Sequence, residues 1–376
     1  MTARTASPLD RPLPVTGAWR EGDDPVGLRR FVDIGEVALE SGATLPSVRV
    51  AYESWGRFTG ENAVLIEHAL TGDAHVVGEA GPGQPSPGWW NDLVGPGRAI
   101  DTDRWFVVAT NILGGCQGTT GPASAHPGGG VWGSRFPDLT VRDQVAAEIA
   151  VADALGIECW HAVIGGSAGG MRALEWAITV PERVERLFLL ATSAVASAEQ
   201  IGLSTTQQAA IVADPHFHGG DYYAAAQGPA AGLDIARRIA HLAYRSEPEL
   251  EQRFGREVQP DGRFAVASYL EHQGAKLVRR FDANSYLTLT RAMDSHDAGR
   301  DRGGVEAALG RITARTLVAG IDSDRLYPLS QQRRLAEAIP GAGDLAVVRS
   351  LYGHDAFLIE SDQVAPLAAA LLAARP

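Results

Sequence analysis

The stretch "VIGGSAGGMRALEWA", residues 163–177, places a serine among four glycines, between an apolar run and a helical pattern. Residues 165–169 fit G-x-S-x-G in the strand-to-helix context that this motif requires. A nucleophile on so sharp a turn needs very small neighbours, and glycine two positions to either side provides them. The alternative is a glycine loop for tight packing or phosphate binding, but the stretch contains no lysine and lacks the phosphate-binding spacings. We therefore predict that Ser167 is a nucleophile.

Outward from this turn, strand-like and helical segments alternate along the chain. Strand patterns occupy residues 49–56, 62–70, 105–113, 159–166 and 184–192, and helical patterns occupy residues 140–157 and 171–180. Thr140 and Asp143 form a capping box at the start of the first helix. Such alternation predicts an α/β fold with a mostly parallel sheet and helices on both of its faces.

The alternation stops near residue 193 and resumes at about residue 312. The segment between is helical in pattern, rich in Gln, Ala and Arg, and too long for a loop. We predict that residues 193–311 form an inserted helical lid, and that residues 26–192 and 312–376 form the main domain. Residues 1–25 are polar and contain proline, which indicates a loose N-terminal tail.

Composition and charge exclude several functional classes. The chain has 376 residues and a formal net charge of −12, which disfavours nucleic-acid binding. Its apolar runs are about half of the ~20 residues that a membrane span needs, and no signal peptide is recognisable. The two cysteines, Cys116 and Cys159, form no disulfide framework. We expect a cytoplasmic protein without membrane or nucleic-acid partners.

A serine hydroxyl needs a base and an orienting acid, which should follow it in the order Ser, Asp/Glu, His, each just after a strand. "TLVAGIDSDRLYP" ends a strand pattern with Asp322 and Asp324, and "LAVVRSLYGHDAFL" ends another with His354. Each residue alone could be an ordinary loop residue, but all three positions together indicate a Ser–His–Asp triad. An oxyanion hole would combine the Ala168 amide with that of Leu70 in "HALTGDAH", residues 68–75.

Three other candidates have simpler interpretations. "HFH" at 216–218 matches no established metal-ligand spacing and reads as a polar loop, so no metal site is expected. Cys116 in "GGCQG" lacks a nearby base and reads as a loop thiol. "DSHDAGRD" at 294–301 does not match the calcium-loop pattern and reads as a solvated connection.

Several longer motifs carry a resemblance to a known family. "HALTGDAH", "GWWNDLVGPGRAIDTDRWFVVATNILGGCQGTTGP", "GGSAGGMRALEWA", "RFDANSYLTLTRAMD", "DSDRLYP" and "YGHDAFL" resemble the homoserine O-acyltransferases of the α/β-hydrolase fold, from about residue 30 to the C-terminus. The resemblance implies a catalytic triad of Ser167, Asp324 and His354. It also implies an oxyanion hole formed by Leu70 and Ala168.

The same resemblance implies contacts to an amino-acid substrate. Arg237 and Tyr244, in "IARRIAHLAYRS", match the family's contacts to the substrate carboxylate, although the neighbouring Arg238 leaves open which arginine faces the pocket. Asp355 matches the contact to the substrate ammonium group. The family further implies a cytoplasmic homodimer that pairs through the lid helices, and a step in methionine biosynthesis.

The reaction expected from the resemblance is acetyl transfer from acetyl-CoA to L-homoserine by a ping-pong acyl-serine mechanism, without a bound cofactor. Homoserine O-succinyltransferase and serine O-acyltransferase activities are the alternatives within the family, and an esterase-type hydrolase is more remote. A long lid favours transfer over hydrolysis because it excludes water.

The acetyl donor is favoured because a succinyl group would need a cation for its second carboxylate. The loops at 69–75 and 111–122 contain no Arg or Lys. Arg98 and Arg104 flank these loops and are expected to lie outside the pocket. Arg245, in the lid, is left open as a cation that could reach it.

Overall fold

The computed structural model describes residues 13–374. Within them, one sheet dominates the main domain, and its order is β1-β2-β6-β3-β7-β8-β9-β10. The strands are β1 Arg30–Ala38, β2 Thr44–Trp55, β3 Ala63–Glu67, β4 Val94–Gly95, β5 Ile100–Asp101, β6 Phe106–Thr110, β7 Ala162–Gly166, β8 Arg186–Leu190, β9 Arg315–Ile321 and β10 Ala346–Val348. The two short strands β4 and β5 pair separately.

The sheet is parallel from β6 to β10, and β2 runs antiparallel to both of its neighbours, β1 and β6. The carboxyl ends of β3, β7, β9 and β10 therefore meet at one edge. Loops after these ends are where ligands bind in open α/β sheets. Ser167, Asp324 and His354 all lie in such loops.

Eleven α-helices follow in the described residues. They are α1 Val141–Ala154, α2 Ala168–Thr179, α3 Ala198–Val212, α4 Ala230–Tyr244, α5 Glu247–Phe254, α6 Ala265–Val278, α7 Ala283–Asp294, α8 Val305–Leu309, α9 Leu329–Ala338, α10 Ala356–Ile359 and α11 Ser361–Ala373. The capping box predicted at α1 is confirmed, since the Thr140 side chain accepts from the Asp143 amide and the Asp143 side chain accepts from the Thr140 amide.

The strand side chains fill two cores, one on each face of the sheet. In β7, Val163 belongs to the core that packs against α1, α2 and α9, whereas Ala162 and Ile164 belong to the core that packs against α11. This alternation follows from the period of two along a strand. Burial on both faces explains the continuous apolar runs of the sequence. The mostly parallel α/β sheet expected from the sequence is confirmed.

Six helices, α3 to α8, lie between β8 and β9, and we call residues 198–309 the lid. Its apolar core includes Ile211, Leu233 and Tyr286, and it continues into Leu70 and Ala168 of the main domain. The lid therefore packs directly on the turn after β7 and the loop after β3. The helices fall inside the predicted 193–311 segment, and the division into domains stays a prediction.

The start of the described chain is held against this body. The Gly17 amide donates to Phe281 O at 3.1 Å, and the Trp19 amide donates to Cys116 O at 2.9 Å. Residues 13–25 thus differ from the loose tail expected for residues 1–25, because backbone hydrogen bonds tie them to the lid and to the loop after β6. Residues 1–12 lie outside the described residues.

In residues 13–374 no single helix is long and apolar enough to cross a bilayer. One bent pair, Gly353–Ile359 with Ser361–Ala373, meets the criteria only when its two helices, 64° apart, are taken together.

Candidate active site

Ser167 occupies a strained turn between β7 and α2, with φ 56° and ψ −124°. A side chain on Gly165 would place its Cβ 2.2 Å from Gly169 O, and one on Gly169 would place it 2.1 Å from Glu67 O. Both distances are far below van der Waals contact, so only glycine fits at either position. The strain is thus imposed by the close approach of three backbone segments.

Two hydrogen bonds connect Ser167 to the end of the sheet. His354 Nε2 lies 2.8 Å from Ser167 Oγ, and His354 Nδ1 lies 2.6 Å from Asp324 Oδ2. Asp324 Oδ1 accepts from the Leu326 and Tyr327 amides, both at 2.9 Å, which fixes the carboxylate. An Nδ1–H donor to this carboxylate leaves Nε2 to accept the serine proton.

The surroundings of His354 stabilise the imidazolium that forms when the ring accepts a proton. Burial opposes the charged imidazolium, but the charge of Asp324 and its hydrogen bond outweigh burial and raise the pKa of His354 above its ordinary value. The Tyr327 ring stacks on the imidazole with centroids 5.0 Å apart. Charge and packing together hold a ring that can accept and return a proton.

Two backbone amides near Ser167 have N–H groups without an acceptor in the described part of the chain. The amides of Leu70 and Ala168 donate no hydrogen bond to any of residues 13–374. Ala168 is the first residue of α2, whose N-terminal dipole end favours negative charge. The predicted oxyanion residues thus have unused donors, and their role stays a proposal.

A buried ionic cluster fixes the loop that carries Leu70. Arg172 of α2 donates to Glu67 Oε2 from Nε at 2.9 Å and from Nη2 at 2.7 Å, and also to His68 O at 3.1 Å. Its third partner is Glu148 of α1, at 3.1 Å. Burial, then the neighbouring Glu67, raises the pKa of Glu148. Sequence patterns missed this cluster because its members come from three separate elements.

A cavity of about 420 Å³ opens beside Ser167 and His354. Arg237 of α4 lines it, donates from Nη1 to Thr71 Oγ1 at 3.2 Å, and lies 5.6 Å from the centre of the Tyr244 ring. The Tyr244 ring in turn lies 5.8 Å from the His354 ring. Arg238 instead pairs with Asp234, so Arg237 is the arginine that faces the cavity.

Asp355 and Arg245 are joined at the edge of this cavity. Arg245 Nη2 lies 3.2 Å from Asp355 Oδ2, and its Nη1 lies 3.6 Å from Glu249. Asp355 lines the cavity, as predicted for a ligand of the substrate, but it already shares its carboxylate with a cation. Arg245 is held by two acids and does not line the cavity.

Two cations in the cavity wall were not expected from the sequence. Lys276 of α6 and Arg280, two residues beyond that helix, line the same cavity as Arg237. Their only sequence signals were that Lys276 is the one lysine of the chain and that a family motif begins at Arg280. Neither signal says which way a lid helix faces.

The remaining sequence candidates do not line this cavity. Cys116 is buried, and burial raises the pKa of its thiol to about 12, which agrees with an unreactive loop thiol. His216 of the "HFH" stretch contacts Asp214 at 3.5 Å. Residues 13–374 contain no group of three His, Cys, Asp or Glu side chains placed to hold a metal ion.

Known proteins resemble this chain in both sequence and fold. Residues 62–361 match the model of the alpha/beta hydrolase fold family. A homoserine O-acetyltransferase of Thermobifida fusca is 59% identical over 372 residues, covering 96% of this chain and 98% of that protein. One of Clavibacter michiganensis is 57% identical over 384 residues, covering 98% of each. The chain belongs to the homoserine O-acetyltransferase family.

Solved structures share the fold at lower identity. Homoserine O-acetyltransferase from Bacillus anthracis matches with a TM-score of 0.84 and 26% identity, over 92% of this chain and 98% of that one. An acetylester hydrolase from Corynebacterium glutamicum matches with a TM-score of 0.79 and 25% identity, over 93% and 97%. The fold thus serves both transferases and esterases, and the assignment to this family rests on the relatives above 50% identity.

The two acids of "DSD" give a test with a matched control. Asp322 is exposed and accepts from the Ser350 amide at 3.0 Å, so it supports the turn rather than His354. We predict that Asp324→Asn lowers kcat by roughly 10⁴-fold because the imidazole is misoriented. Its residual activity should also persist to lower pH, because Asp324 raises the pKa of His354.

Asp322→Asn should leave kcat and the acid limb of the pH profile close to those of the unaltered chain. Steady-state rates across the pH range measure both variants. A larger loss in Asp322→Asn than in Asp324→Asn would assign the orienting acid to Asp322 instead.

Proposed function

We propose that the chain transfers the acetyl group of acetyl-CoA to the hydroxyl of L-homoserine, through an acetyl-Ser167 intermediate. The observation that carries the proposal is the hydrogen-bonded series Ser167–His354–Asp324 at the floor of a cavity that also contains Arg237 and Asp355. The identity of up to 59% with homoserine O-acetyltransferases supports both substrates. O-Acetylhomoserine formation would place the chain in methionine biosynthesis.

In the first half-reaction, Ser167 Oγ attacks the thioester carbonyl while His354 Nε2 takes the hydroxyl proton. The amides of Leu70 and Ala168 donate to the oxyanion that forms. Asp324 stabilises the imidazolium without accepting its proton. The C–S bond then breaks, and His354 returns the proton to the departing CoA sulfur.

In the second half-reaction, the homoserine hydroxyl occupies the place of the departed thiol. His354 takes its proton as the hydroxyl attacks the acetyl-serine carbonyl. The bond between the acetyl carbon and Ser167 Oγ then breaks, and His354 returns the proton to Oγ. Arg237 presents a planar guanidinium suited to the homoserine carboxylate. Asp355 receives the ammonium, and the substrate then shares this carboxylate with Arg245.

The cavity contains more cations than the loops at 69–75 and 111–122 supply. These two loops contain no Arg or Lys, but the lid adds Lys276 and Arg280 to the cavity wall. Cation scarcity therefore does not discriminate against a succinyl group. The acetyl donor is supported instead by relatives that are homoserine O-acetyltransferases at 53% to 59% identity.

We also infer a homodimer in the cytoplasm, paired through the lid. Beyond the family resemblance, support comes from exposed apolar side chains on the first two lid helices, Ile201 and Val212 of α3 and Ile235 and Leu242 of α4. The two helices pack against each other, and exposed apolar residues on adjoining helices are expected where an interface forms.

Sedimentation equilibrium tests the dimer. We expect a mass of two chains, and we expect Ile235→Asp to shift the mass towards one chain because it buries a charge in the proposed interface. Val347→Asp is the control, because Val347 is exposed and lies in β10, outside the lid. A single-chain mass for the unaltered protein would contradict the homodimer.

Initial-rate kinetics test the proposed reaction. With acetyl-CoA varied at several fixed homoserine concentrations, double-reciprocal plots should be parallel, because CoA leaves before homoserine binds. Serine in place of homoserine and succinyl-CoA in place of acetyl-CoA should both give lower kcat/KM. Intersecting lines would require a ternary complex, and acetate release without any O-acetylhomoserine would identify a hydrolase.

A further inference from the structure

The cavity wall carries more positive charge than the acceptor requires. Arg237, Lys276 and Arg280 line it together with the acids Asp73 and Asp355, and none of the three cations lies within 4 Å of a carboxylate in residues 13–374. Arg238 and Arg245, which lie outside the cavity, each have an acidic partner. The three cavity cations have none within this distance, so they can take an anionic ligand.

The three cations repel one another. Arg280 is held in place by donating from Nη1 to Thr71 O at 2.7 Å, and Arg237 donates to the side chain of the same threonine. Burial, followed by repulsion from Arg280 and Arg237, lowers the pKa of Lys276. An anion at Lys276 would offset this repulsion, because it supplies the counter-charge that the ammonium lacks.

The proposed reaction brings only two kinds of anion into this cavity. One is the carboxylate of homoserine, and Arg237, which lies against Tyr244 next to His354, is placed to receive it. The other is the set of phosphate groups on CoA, since an acetyl group carries no charge. Lys276 and Arg280 are left for this second anion.

We propose that Lys276, reinforced by the charge of Arg280, binds a phosphate group of the acyl-CoA donor. The inference rests on the proposed function, which it deepens by naming the residue that recognises the donor. An ammonium on a long, exposed side chain suits a phosphate that must enter and leave in every turnover. Arg280, anchored to Thr71, contributes fixed charge and keeps its position when CoA departs.

Two donors and one substitution test the proposal. Lys276→Met should raise KM for acetyl-CoA about tenfold, the effect of losing a hydrogen bond to a charged group. KM for homoserine and kcat should stay nearly unchanged. With S-acetylpantetheine, which has the thioester but no phosphate of CoA, Lys276→Met and the unaltered chain should have equal kcat/KM.

Matched variants separate charge recognition from folding. Lys276→Arg should restore most of the affinity for acetyl-CoA, and Arg256→Met, an exposed lid arginine outside the cavity, should behave like the unaltered chain. Equal losses with both donors would overturn the proposal, as would a rise in KM confined to homoserine, which would assign Lys276 to the acceptor carboxylate.

A binding measurement keeps this test independent of turnover. Calorimetric titration should show CoA binding about tenfold more weakly to Lys276→Met than to the unaltered chain, and pantetheine binding both equally. Since Lys276 is the only lysine of the chain, CoA should also slow the modification of its amine by an acylating reagent in the unaltered protein. Unchanged CoA affinity in Lys276→Met overturns the inference, whereas CoA binding without acetyl transfer to homoserine would contradict the proposed function.

Discussion

The close approach of three backbone segments around Ser167 is the constraint on which the rest of the site depends. Gly165 and Gly169 let β7, α2 and the end of β3 meet at distances that no side chain permits, and Ser167 takes up the strain with a positive φ. One consequence is that Oγ is presented at the sheet edge where His354 arrives. Another is that the loop after β3 lies beside the N-terminus of α2, which brings the amides of Leu70 and Ala168 to the same turn.

A buried ionic cluster stabilises this arrangement. Arg172 joins the start of α2 to Glu67 and to the His68 carbonyl, so the serine and the Leu70 loop cannot shift independently. Breaking such a buried pair by removing one partner costs about 3–5 kcal/mol. The lid also packs on the turn, because its apolar core includes both Leu70 and Ala168. The turn is thus held between an ionic cluster and an apolar one.

Local patterns in the sequence predicted the parts of the structure that depend on strand ends. The sheet, the interrupting helices and the placement of Ser167, Asp324 and His354 after strands all follow from periodicity and from glycine spacing, which are local properties. The structure brings these three side chains into hydrogen-bond contact. The roles assigned to them remain those proposed above.

The lid contributions could not be read from the chain in the same way. Which of Arg237 and Arg238 faces the cavity depends on the rotation of α4, and the positions of Lys276 and Arg280 depend on how α6 docks on Thr71. The Arg245–Asp355 pair joins residues 110 positions apart. Such contacts are set by tertiary packing, so the composition of two loops does not reveal the positive charge of the cavity.

The acetyl-serine intermediate is the centre of this account, and intact-protein mass spectrometry detects it directly. The chain is mixed with acetyl-CoA in the absence of homoserine, quenched in acid and weighed. We expect a mass increase of one acetyl group, located on Ser167 by peptide mapping, absent from Ser167→Ala and lost when homoserine is added. An unmodified mass in the unaltered chain while O-acetylhomoserine still forms would contradict the proposed intermediate, because transfer would then proceed without the serine.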